Sequence, residues 1–109
     1  MNEEIDIFKC LDYIRDNAKK YAQAKANRVY LEEYRKSLKA TLMATQIGEP
    51  VNAREIYAYA HHDYTRLLEG IKEAIEAEEN LRWKLIAAQA KIEVWRSLSA
   101  NQRAEAKVL

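Results

Sequence analysis

Apolar side chains recur every three to four residues along nearly the whole chain. In its second half, one position of a seven-residue repeat reads Tyr57, Tyr64, Ile71, Glu78, Leu85, Ile92. Its companion, three residues on, reads Ala60, Leu67, Ala74, Leu81, Ala88, Trp95. All but Glu78 are apolar or tyrosine, which is the sustained a/d seam of a coiled-coil-like helix. The first half carries a poorer seam: Ile7, Cys10, Ile14, Asn17, Tyr21, Ala24, Arg28, Leu31, Arg35, Leu38, Leu42, Thr45.

One segment, "TQIGEPVNAREI", interrupts this pattern. Gly48 suits a left-handed residue that ends a helix, and Pro50 two residues later cannot continue one. Asn52 with Glu55 three residues on reads as a capping box, and Val51 with Ile56 as a hydrophobic staple. The expected layout is a helix over 3–46, a turn over 47–52 and a helix over 53–97. Residues 3–46 contain neither Gly nor Pro, and after the turn only Gly70 intervenes, which lowers stability without ending a long helix. In "SLSANQRAEA", Ser99 and Gln102 form a further capping-box pattern. The second helix therefore either continues or gives way to a short third helix over 100–107.

A turn this short makes the two helices antiparallel neighbours. Pairing Leu42 with Tyr57 makes facing residue numbers sum to about 99. Lys19, Lys20, Lys25 and Arg28 then fall opposite Glu69, Glu73, Glu76 and Glu79, a charge match that supports the register. Glu78, the one charge on the second seam, is expected to face Tyr21 with Lys25 a turn away. The predicted fold is all-α: one helical-hairpin domain spanning residues 1–109. Trp83, Ile86, Ala87, Ala90 and Val94 lie off the seam and form a second apolar face. Such a face marks a partner surface. The economical partner is another copy, giving a homodimeric four-helix bundle centred on residues 80–98.

Composition narrows the function classes. The chain has 109 residues, about a third of them charged, a net charge of +1, two Gly, one Pro and one Cys. Balanced charge argues against a general nucleic-acid or membrane-surface binder. A lone Cys10 makes no internal disulfide and fits the cytoplasm. The start "MNEEIDIFKC" is acidic and lacks the basic, then apolar, pattern of a signal peptide. No apolar run approaches the ~20 residues that span a bilayer.

Candidate chemistry is sparse. "YAYAHHDY", Tyr57 to Tyr64, gathers two histidines and an aspartate. On an unbroken helix, adjacent histidines diverge by ~100° and cannot share a metal, which needs i,i+3 or i,i+4 spacing. No metal site is expected there, nor any cofactor or small-molecule substrate. No phosphate loop, nucleophile elbow or other catalytic constellation occurs, so the chain reads as non-enzymatic. For nucleic acid, the candidate contacts are Lys19, Lys20, Lys25, Arg28, Arg35, Lys36 and Lys39, interleaved with Tyr21, Tyr30 and Tyr34. Glu32 and Glu33 interrupt that run.

The segments "LEEYRKSLKATLM", "AREIYAYAHHDYTRLLEGIKEAIEAEENLRW" and "IEVWRSLSANQRAE" resemble small helical proteins of phages and prophages, families mostly without an assigned function. The resemblance spans roughly residues 30–105. It implies a non-catalytic accessory protein of a bacterial cytoplasm and carries over no site residues.

Overall fold

The computed structural model describes residues 4–108. It contains three helices, α1 (Ile7–Ala44), α2 (Val51–Ala60) and α3 (His62–Val108), and no strand among the described residues. The expected helix start at residue 3 lies outside the described residues, and residues 4–6 precede α1.

The start of α1 has a local cause. The Asp6 carboxylate accepts a hydrogen bond from the Lys9 backbone N–H at 3.1 Å, satisfying one of the four free donors of a helix start. The helix ends through tightened bonds, Thr45 N–H to the Leu42 carbonyl and Gln46 N–H to that of Met43. Gly48 then takes φ +94°, as its position implied. From α2, the Arg54 guanidinium donates a second bond to the same Met43 carbonyl at 3.1 Å, tying α2 to the end of α1.

Beyond the turn, the structure departs from the expected boundaries in three ways. Helix α2 begins at Val51 rather than residue 53, with Pro50 in the cap position and no side-chain cap bond. Pro50 already has helix-compatible φ, and its carbonyl accepts the first helical bond from Arg54 N–H at 3.0 Å. Asn52 is thus inside the helix and the capping box does not form. The staple fails too, since Val51 and Ile56 are 62% and 67% exposed. At the far end, α3 runs through Ser97, Ser99 and Gln102 to Val108. No separate third helix occupies 100–107, because nothing there removes a backbone donor or requires positive φ.

The third departure is a break at His61, where the backbone turns extended (φ −68°, ψ 139°). The N–H of His61 bonds back to Ala58, and the His61 carbonyl starts α3 by accepting from Tyr64 and Thr65. The imidazole Nδ1 accepts the Asp63 backbone N–H at 3.0 Å, acting as the side-chain cap of α3.

The chain divides into two compact units: residues 23–78, and the stretches up to 22 and from 79 onward. In the first, α1 lies antiparallel to α2 and to the start of α3, with Leu42, Ala58, Ile71, Ala74 and Glu78 buried. From Tyr64 to Ile92 the seam is as expected, but Trp95, its last position, is exposed. Before the break it shifts, so that Ala58 is buried while Tyr57 and Ala60 are exposed. In the second unit, Cys10 of α1 and Ala88 of α3 are buried, flanked by half-buried Ile14, Leu81, Leu85 and Ile92.

Candidate functional site

Residues 23–78 hold the most organised polar group. Arg28 donates through Nη2 to Glu78 Oε1 at 3.0 Å and through Nε to Glu78 Oε2, while its Nη1 reaches Glu32 at 3.1 Å. Glu78 is 6% exposed. Hydrogen bonding to Glu78 holds the Arg28 guanidinium above its ordinary range, against the opposing effect of desolvation. The register sum places Tyr21 and Lys25 nearest Glu78; Arg28, on the same seam, is a partner that it does not single out. The planar fork of Arg28 meets the Glu78 carboxylate with two bonds. Lys25 forms no ion pair with Glu69, Glu73 or Glu76 among the described residues.

Near the turn, Lys39 lies 4.7 Å from the Tyr59 ring centroid and 3.7 Å from Glu55 Oε1. Hydrogen bonding to Tyr59 raises its pKa, with Glu55 adding a smaller electrostatic contribution. Glu55, expected in a capping box, is instead this lysine's partner.

The basic candidates therefore separate. Arg28 is held by Glu78 and Glu32, Lys36 by Glu33 at 3.4 Å, and Lys39 by Tyr59 and Glu55. Arg35 is exposed and borders a groove of about 350 Å³ with Lys36, Lys39, Tyr59 and Tyr64. Lys19, Lys20 and Lys25 are exposed and make no ion pair among the described residues. Tyr30 and Tyr34 stack on each other at 6.2 Å.

The apolar candidates lie in the second unit. Trp83 is 58% exposed and Val94 50%, Ala87 and Ala90 are exposed, and Ile86 is half-buried. The Trp83 indole N–H donates to Glu79 Oε2 at 3.0 Å, and the Arg82 guanidinium sits 5.1 Å from its ring. Ala87 also borders a groove of about 430 Å³ with Cys10, Tyr13, Ala88, Lys9, Lys84 and Lys91. It thus faces the side of α1 more than the outer apolar stripe. Further large apolar side chains lie exposed here: Phe8, Leu11, Trp95 and Leu98. Phe8 and Leu11 stand off the first seam, and the sequence reading missed them because it followed seam positions alone.

At the break, the histidines do not diverge. The His61 and His62 rings stack at 4.4 Å, inclined by 24°. Asp63 lies beside both, its Oδ1 3.1 Å from His62 Nε2 and its Oδ2 3.7 Å from His61 Nδ1. The ~100° divergence expected of neighbours on a helix does not apply, because His61 is extended and lies between two helices.

Among the described residues, no helix is long and apolar enough to cross a membrane. No family model, curated protein or solved structure matches the chain.

Proposed function

We propose that this chain is a non-enzymatic, phage-type accessory protein that self-associates through its helices and binds another macromolecule. One observation carries the reading. In the unit built from residues up to 22 and from 79 onward, Cys10 and Ala88 are the buried apolar residues, while Phe8, Leu11, Trp83, Val94, Trp95 and Leu98 lie exposed. Burying a large apolar side chain is worth roughly 1.5–3 kcal/mol, so these exposed side chains leave apolar stabilisation for a partner to supply. A second copy supplying the same stripe gives a C2 four-helix bundle around residues 80–98. Small Ala90 lets the backbones approach closely there.

Sedimentation at micromolar concentration tests the proposal on wild type and on Trp83→Glu with Val94→Glu. A wild-type dimer that the double variant converts to monomer supports it. A wild-type monomer refutes it, and a variant that still dimerises places the interface elsewhere. The alternative, an accessory that binds DNA or RNA through α1, rests mainly on Lys19, Lys20, Lys25 and Arg35, since Arg28, Lys36 and Lys39 are already partnered. Four phosphate contacts give a log–log salt slope of about −3.6 on duplex DNA. A slope of that size on oligonucleotides favours that alternative, and the absence of salt-dependent binding counts against it.

A further inference from the structure

Sharp helix breaks arise at Pro, at Gly or Ser, at π-bulges, or where a side chain enters the hydrogen-bond ladder. Between Ala58 and Asp63 there is no Pro, Gly or Ser, and what enters is the His61 imidazole. The spatial result of the break is a cluster of three metal-ligating side chains. One ligand atom from each of His61, His62 and Asp63 lies within 4.8 Å of the others. The two near-parallel rings share one carboxylate, which reaches a nitrogen of each.

We propose that His61, His62 and Asp63 form a binding site for a borderline divalent transition metal of the Zn²⁺, Ni²⁺ and Cu²⁺ class. Two imidazoles and one carboxylate are the donors these ions prefer, whereas Ca²⁺ needs six or more oxygens. Bonds of about 2.0–2.2 Å require the three donors to close in somewhat. His62 and Asp63 are exposed and can do so by side-chain rotation. His61 ligates by releasing the Asp63 backbone N–H that its Nδ1 accepts, since a neutral imidazole has one free lone pair. The start of α3 opposes a cation with roughly half a positive charge, but Asp63 in its first turn brings a full negative one. Three protein ligands leave a fourth position open to water or to a partner's side chain.

His61 and His62 are the two histidines of the chain, so imidazole NMR signals report on this site alone. The full chain is titrated with ZnCl₂, with circular dichroism confirming that each variant keeps its helicity. Both imidazole signal sets should shift together and saturate at one Zn²⁺ per chain. His62→Ala should weaken binding more than about tenfold, since even outer-shell partners of metal sites are worth 10–100-fold. Cys10→Ser should leave binding unchanged. The proposal is overturned by a response from one ring only, by wild-type affinity in His62→Ala, by loss of binding in Cys10→Ser, or by no saturable binding.

Discussion

Arg28 on α1 grips Glu78 on α3 with two nitrogens, Nη2 3.0 Å from Oε1 and Nε on Oε2, while its third nitrogen holds Glu32. The arrangement is asymmetric. Glu78 is buried, whereas the Arg28 side chain keeps about a quarter of its surface in water.

That asymmetry sets the order of two substitutions. In Glu78→Leu, Arg28 retains Glu32 and solvent, and an apolar side chain takes the buried position, so the fold should persist with little change in Tm. Arg28→Met removes two hydrogen bonds from a buried carboxylate and should lower Tm clearly more, since breaking a buried ion pair is costlier than replacing its carboxylate by an apolar group. Thermal unfolding of both singles and the double variant measures this, the double falling close to Glu78→Leu. Equal losses from the two singles would sink the asymmetry.

The two glycines should respond in opposite directions to alanine. An added Cβ meets nothing within 4 Å at either site, so backbone conformation alone decides. Gly48 has φ +94°, and Gly48→Ala should destabilise by about 1–2 kcal/mol, the cost of the left-handed region for a residue with a Cβ. Gly70 lies inside α3, and Gly70→Ala should stabilise by about 0.4–1 kcal/mol. Urea unfolding reads both, and a stabilised Gly48→Ala would contradict the account of the turn.

Capping by the His61 imidazole should be replaceable by another acceptor. His61→Asn, with a side-chain oxygen, should keep α3 anchored. His61→Leu removes the acceptor and should cost about 1 kcal/mol locally, speeding hydrogen exchange at the Asp63 amide. Unchanged or greater protection in His61→Leu would show that the cap is dispensable or that α2 and α3 fuse.

Lys39 carries a pH prediction. Its pKa is raised in the folded chain, first by hydrogen bonding to Tyr59. A raised lysine pKa means stabilisation that is fully present below the ordinary lysine value of about 10.4. It is lost as pH rises through the folded value. Stability should therefore be insensitive to this group near neutrality and decline in strong alkali. Tyr59→Phe keeps the ring but removes the hydroxyl, and should lower the Lys39 pKa in a side-chain NMR titration. No change on that substitution would assign the shift to Glu55 instead.

Much of the fold was legible in the residue pattern. A chain without Gly or Pro over residues 3–46, followed by Gly48 and Pro50, determines helix, turn and helix, because those two residues act through their own backbone chemistry. Three- and four-residue spacing likewise determined the buried stripe from Tyr64 to Ile92, since helical geometry alone puts those positions on one face. Asp6 was legible as well, being an N-cap residue directly before an apolar start, and was passed over.

Tertiary structure decided what depends on competition between near-equal options. Pro50 displaced Asn52 as the cap, and Glu55 left its capping role for Lys39, because a neighbouring helix offered a charged partner. Arg28 pairs with Glu78, a contact across an interface that a register sum locates only to within a turn. The break at His61 depended most on three dimensions. No residue there forbids a helix, and the exchange of ladder bonds for an imidazole cap turns on a difference of about 1 kcal/mol, finer than residue spacing can report. The same break moved Ala58 into the core and set His61, His62 and Asp63 side by side.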